Sequence, residues 1–175
     1  MSGESLGKRP RYFTLRDLEV LTAFTDTAPA LRGGAEFDDS ESGSDTTRVR
    51  IEIGVGDEAA YTSARGDGPV HAMDIGLRSL IDRFYPQLQA VRLVDYKVRV
   101  LTSNDGTGSV VRVLIQSSDG EEVWGTVGVS PNIIHASWYA MVDALEYKLL
   151  KDGVVPFATA GEQTTRSSRP AARAH

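Results

Sequence analysis

The sequence predicts an α+β protein made of two tandem β-β-β-α units, each an antiparallel sheet with one helix. Three observations carry this expectation. The chain repeats itself: adding 64 carries Thr62 to Thr126, His71 to His135, Leu77 to Met141, Ile81 to Leu145 and Arg48-Val49 to Arg112-Val113. Within each repeat, three strand-like stretches come before a single stretch with helical apolar spacing. Turn signals of the hairpin type separate the strand-like stretches of the second unit.

In the first unit the strand-like stretches are LEVLTAF (Leu18 to Phe24), RVRIEIGV (Arg48 to Val55) and AAYTSA (Ala59 to Ala64). Val49, Ile51, Ile53 and Val55 alternate with Arg50 and Glu52, the period of a half-buried strand. The helix follows, with Met73, Leu77, Leu80, Ile81 and Phe84 on one stripe. Asp74, Arg78 and Asp82 lie opposite, at a spacing that permits i,i+4 ion pairs. In the second unit the strands are DYKVRVL (Asp95 to Leu101), VVRVLIQ (Val110 to Gln116) and EVWGTVGV (Glu122 to Val129). The helical stripe there is Ile134, Trp138, Met141, Leu145 and Leu149. Asn104-Asp105-Gly106 and Asp119-Gly120 are hairpin turns, because Asn, Asp and Gly tolerate positive φ. Pro69 and Pro131 fall near the helix starts, where a missing N–H costs little. Residues 1–11 are expected to be a flexible N-terminus, 12–88 unit one and 91–151 unit two. The acidic stretch 25–45 is expected to form a mobile loop and 152–175 a disordered tail.

Composition narrows the function classes. With 175 residues, 41% of them hydrophobic, the chain can bury one sizeable core. A net charge of -5 argues against nucleic acid as a partner. No apolar run approaches the roughly 18 residues of a membrane span, and the polar MSGESLGKRPR start lacks the apolar segment of a signal peptide. The absence of cysteine removes disulfides, thiolate metal sites and cysteine nucleophiles, and fits a cytoplasmic location.

Catalytic patterns are missing. The histidines His71, His135 and His175 have no metal-binding spacing, and there is no Gly-x-Ser-x-Gly elbow or phosphate-binding loop. His71 and His135, at echoed positions, are read as serving their helix starts. Asp95, Asp119, Glu121 and Glu122 read as solvated charges on strands and turns. No catalytic residue, metal or cofactor is expected, and the chain on its own is not expected to be an enzyme. RGDGPVHAMD, Arg65 to Asp74, is a glycine-proline turn feeding a helix, with N-terminal amides able to meet a carboxylate.

The run from Val91 to Lys151, with DYKVRVL, SSDGEEVWGTVGVS and ASWYAMVDALEYKLL in order, resembles the C-terminal regulatory domain of the 2-isopropylmalate synthase and citramalate synthase family. GDGPVHAMDIGLRSLIDRFYP, Gly66 to Pro86, resembles the glycine-proline loop and first helix of the same domain, and the wording is nearer the citramalate synthase branch. The resemblance implies an allosteric domain over 12–151 that forms a homodimer and binds a branched-chain amino acid, isoleucine or leucine, for feedback inhibition of branched-chain amino acid biosynthesis. In that family a separate barrel condenses acetyl-CoA with a 2-oxo acid using a divalent metal. A (β/α)₈ barrel needs roughly 250 residues, more than this chain has, so a catalytic synthase would be a partner. An excised domain and a free-standing relative both fit. Carried over by motif, the ligand-lining positions are Gly66, Gly68, Val70, Ile81, Phe84, Leu88, Val94, Val98, Val123 and Gly125. The alternative is a structural assembly module with no ligand, in which these residues are simply core.

Overall fold

The computed structural model describes residues 11–23, 46–102 and 108–157. Two three-stranded antiparallel sheets, each followed by a helix, form the predicted tandem arrangement. The first unit consists of β1 (Thr14–Ala23), β2 (Thr46–Val55), β3 (Glu58–Gly66) and α1 (Pro69–Ile81). A 3₁₀ turn, Pro86–Ala90, leads into β4 (Arg92–Thr102), β5 (Ser109–Ser118), β6 (Val123–Ser130) and α2 (Ile133–Lys151).

Strand register repeats along with the sequence. Adding 78 in β1 and 64 in β2 turns the pair Leu15↔Ile53 into Leu93↔Ser117, and Val20↔Val49 into Val98↔Val113. Both first strands also carry a bulge at the same place, between Leu15 and Asp17 and between Leu93 and Asp95. A bulge shifts the inward-outward alternation by one residue. Both first strands accordingly begin earlier than simple alternation indicates, at Thr14 rather than Leu18 and at Arg92 rather than Asp95.

Side-chain alternation builds the core. Val49, Ile51 and Ile53 of β2 are essentially inaccessible and lie under α1 with Ala72, Met73, Leu77, Leu80 and Ile81. Val113, Ile115 and Trp124 form the corresponding layer under α2 with Ala136, Ala140, Met141, Leu145 and Leu149. The two layers join in a single apolar cluster. α2 approaches β6 so closely that a Cβ on Gly128 would lie 1.8 Å from the Ala136 carbonyl oxygen.

Turns and caps differ between the halves. Gly120 turns the β5–β6 hairpin at φ +90, and Asp119 Oδ1 accepts from the amides of Glu121 (3.0 Å) and Glu122 (2.9 Å). The hairpin expected at Asn104–Gly106 and the acidic stretch 25–45 lie outside the described residues. Pro69 is the first helical residue of α1. Pro131, by contrast, precedes the cap of α2: Asn132 fills that position and its side chain accepts from Ile134 N at 2.8 Å and His135 N at 3.4 Å.

The first residues of the expected disordered tail have definite contacts. Tyr12 Oη donates to the Val154 carbonyl at 2.8 Å, and the Phe157 ring meets Phe84 at 6.2 Å and Tyr85 at 5.4 Å between centroids. Residues 158–175 lie outside the described residues.

Candidate functional site

α1 has two chemically distinct sides. Ala72, Met73, Gly76, Leu77, Leu80 and Ile81 are buried against the first sheet. Asp74, Arg78 and Asp82 recur every fourth residue and line a cavity of about 610 Å³. Val70 and His71 extend its wall at the helix start. The chain then reverses through the 3₁₀ turn and brings Gln89, Val91, Arg92, Leu93 and Tyr96 to the other side.

Arg78 organises this wall. Its Nε donates to Asp74 Oδ1 at 2.9 Å and its Nη1 donates to the Val91 carbonyl oxygen, tying α1 to the approach of β4. The Asp74 and Arg78 side chains are only 25% and 20% exposed, so the pair is better shielded from water than a surface salt bridge. Asp82 is held less completely: its Oδ1 is buried with no hydrogen-bond partner among the described residues. Burial pushes its carboxyl above the ordinary carboxylate range, outweighing the opposing charge of Arg78, and Asp74 adds to the rise.

A second cavity, about 310 Å³, adjoins the first through Val70, His71 and Tyr96. Gly68 and Pro69 from the start of α1 and Ile133, Ile134 and Ser137 from the start of α2 complete it. The Tyr96 and Ser137 hydroxyls lie 3.0 Å apart and satisfy each other. The joined space therefore has a charged end on α1 and a largely aliphatic end between the two helix starts. His71 serves its own turn, its Nδ1 accepting from the Asp67 amide at 3.2 Å.

The duplicated frame holds a related cavity of about 290 Å³ where the start of β1 passes α2. Adding 64 places Trp138, Val142 and Glu146 there in the positions of Asp74, Arg78 and Asp82. The acid–base–acid ladder thus belongs to one half only.

Of the ten positions expected to line a ligand, Gly68 and Val70 do border these cavities. Gly66 is structural in its surroundings, since a Cβ there would stand 2.5 Å from the Ala72 amide nitrogen and push α1 off β3. Ile81 and Leu88 are wholly inside the core, and Phe84 packs against Phe157. Val94 is the bulge residue of β4 and is exposed. Val98 is on the helix-facing side of β4, opposite buried Val113. Val123 and Gly125 are exposed on the other side of the second sheet, opposite Ser118 and Gln116. The ten do not converge on one place. Asp74, Arg78, Asp82, Leu93 and Tyr96, none of them in the expected set, do. Their one sequence signal was the i,i+4 charge ladder, which looks the same on a solvated helix face.

Among the described residues no group of three or more potential metal ligands forms, and no helix is long and apolar enough to cross a membrane. Two β-β-β-α units sharing one core, with a half-charged cavity at their junction, define the class: a duplicated α+β domain. The chain belongs to the LeuA allosteric (dimerisation) domain family, whose model matches residues 34–149. It is similar to the (R)-citramalate synthase of Geobacter sulfurreducens, 51% identical over 105 residues, 60% of this chain and 20% of that protein. The (R)-citramalate synthase of Aquifex aeolicus is 48% identical over 107 residues, 61% of this chain and 20% of that protein. That of Streptomyces coelicolor is 37% identical over 156 residues, 89% of this chain and 26% of that protein. The chain therefore spans a fifth to a quarter of the length of these relatives.

Proposed function

We propose that this domain is the dimerising, amino-acid-sensing part of a citramalate-synthase-like system in the cytoplasm. It binds isoleucine or leucine as the end product of branched-chain amino acid biosynthesis and conveys feedback inhibition to a catalytic synthase portion carried elsewhere. The observation that carries this reading is the joined cavity, charged along Asp74, Arg78 and Asp82 and aliphatic at Val70, Leu93, Ile133 and Ile134. An amino acid has the same division, a zwitterionic head and an apolar arm, and pockets of this size hold such ligands. Burying the arm supplies about 1.5–3 kcal/mol.

The dimer surface we propose adjoins that cavity. Beyond Tyr96 no helix among the described residues lies over the helix-facing side of β4: Val98 is 38% and Val100 63% exposed, although their partners Val113 and Val111 are buried or half-buried. Ile133 at the start of α2 is 43% exposed. A second copy related by a two-fold axis covers such a surface with its own equivalent.

Calorimetric titration with isoleucine, leucine and valine is the test. Saturable binding of isoleucine or leucine by a dimer supports the reading. Silence with all three removes the sensing role and leaves an assembly module, the function the exposed valines would then serve.

A further inference from the structure

We propose that the cavity reads the ligand's α-ammonium group through Asp82, and so separates an amino acid from the 2-oxo acid of the same carbon skeleton. The inference rests on amino-acid binding in this cavity and adds the group that recognises it.

The two kinds of ligand share a carboxylate and an aliphatic arm. They differ only at Cα, where one carries an ammonium and the other a carbonyl. Apolar walls discriminate weakly between molecules of nearly equal shape, whereas a buried polar group that must be satisfied discriminates strongly. Of the two carboxylates on the ladder, Asp74 is already engaged by Arg78 Nε at 2.9 Å. The Nη1 of the same guanidinium is committed to the Val91 carbonyl. Asp82 is left with a buried oxygen that no donor among the described residues meets. A carboxylate oxygen shut from water without a donor is costly, and an ammonium brings three donors and the opposite charge.

Asp82 lines the cavity, and the two-fold softness of its terminal torsion lets either oxygen turn towards it. An oxo acid in the same place would set a carbonyl oxygen, an acceptor, against this acceptor. The opposite end of the zwitterion has its own partner available. Arg92 borders the same cavity, is exposed, and has no ion-pair partner among the described residues. Ammonium to Asp82 and carboxylate to Arg92 would leave the arm for Val70, Leu93 and Tyr96.

The test titrates the unaltered protein with L-isoleucine and L-leucine, and then with 3-methyl-2-oxopentanoate and 4-methyl-2-oxopentanoate, their oxo counterparts. The same series follows with Asp82→Asn, which keeps shape and removes charge, and with Asp82→Glu, which restores a carboxylate. Expected are oxo acids bound at least about tenfold more weakly than amino acids, amino-acid affinity lowered about tenfold or more in Asp82→Asn, and partial recovery in Asp82→Glu. Oxo and amino acids bound equally by the unaltered protein overturn the inference whether or not the variants fold. So does a folded Asp82→Asn that binds as tightly as its parent; in both cases the sensing reading survives. An unaltered protein that binds none of the four overturns both.

Discussion

Gly128→Ala is a severe perturbation for one methyl group. An added Cβ would lie 1.8 Å from the Ala136 carbonyl oxygen, 2.8 Å from its carbon and 3.0 Å from the Ala140 nitrogen. All three are backbone atoms of α2, so no rotamer change relieves the clash. To reach even 3.0 Å from the oxygen, α2 must retreat from β6 by at least about 1.2 Å, the difference from 1.8 Å. That retreat loosens the small-residue face Ala136, Ala140 and Ala144 and strains the bond from Trp124 Nε1 to the Ala144 carbonyl. Overpacking with flexible neighbours costs about 1–3 kcal/mol, and a backbone obstacle places this variant at about 3 kcal/mol or more. For a domain of this size each kcal/mol lowers the melting temperature by about 2–4 °C, so a drop of about 6–12 °C is expected by differential scanning calorimetry. Gly125→Ala is the control: it lies on the opposite side of the same strand, and its Cβ would meet only Leu114 Cδ1 at 3.7 Å and a carbonyl oxygen at 4.0 Å. It should melt within about 1–2 °C of the parent. Equal melting of all three proteins would refute the close packing of α2 on β6.

Two further outcomes are expected. The Asp119 side chain is 1% exposed and accepts from Lys148 Nζ at 2.8 Å and Lys151 Nζ at 2.6 Å, which hold its carboxyl far below the ordinary range. Its stabilising effect is complete above the unfolded carboxylate value of about 3.9 and is lost as pH falls towards the folded value. Asp119→Asn should thus melt well below the parent at pH 7, with a gap that closes as pH falls below about 4; a gap independent of pH down to about 2 would contradict the arrangement. At the proposed dimer surface, Val100→Asp puts a charge on the uncovered side of β4 and should yield monomers at micromolar concentration by sedimentation, whereas Arg99→Ala, on the opposite side, should leave the dimer intact. Dissociation by Arg99→Ala alone would move the interface to the other side of the sheet.

The frame was legible because it depends on local regularities: period-two alternation in β2 and β5, turn chemistry at Asp119-Gly120, and a repeat that fixes both registers. The bulges were not, since one extra residue at Leu93–Asp95 reverses the alternation and places Val94 outside the pattern. The site was less legible still. Apolar residues at helical spacing look the same whether they fill a core, as Ile81 and Leu88 do, or border a cavity, as Val70 does. An i,i+4 ladder likewise looks the same against water or against a cavity. What decides is tertiary: the 3₁₀ turn carries Val91 and Leu93 back across Arg78, and nothing within the helix sequence reports that return.

Arg78 is the residue on which that return depends. Its guanidinium spans Asp74 and the Val91 carbonyl, a two-directional contact that a lysine ammonium on a flexible stem does not reproduce. Arg78→Ala removes charge-assisted bonds worth about 1.5–3 kcal/mol and leaves two carboxylates on one helix side without their shared cation. Proximity of Arg78 is what lowers the Asp82 pKa against burial, so the variant should raise that carboxyl further. A carboxyl raised in the folded state binds protons more tightly there than in the unfolded chain, so stability increases as pH falls through the folded value. Arg78→Ala should therefore lose most at pH 7 and recover part of the loss as pH falls towards the raised carboxyl value, the reverse of the direction expected for Asp119. Arg78→Lys should retain much of the charge compensation and lose the fork, giving a smaller loss at pH 7 and a weaker recovery on acidification. Melting curves of the three proteins at pH 7 and at successively lower pH decide the matter: an Arg78→Ala deficit that stays constant, or that deepens on acidification, would mean that Arg78 does not favour the charged form of Asp82.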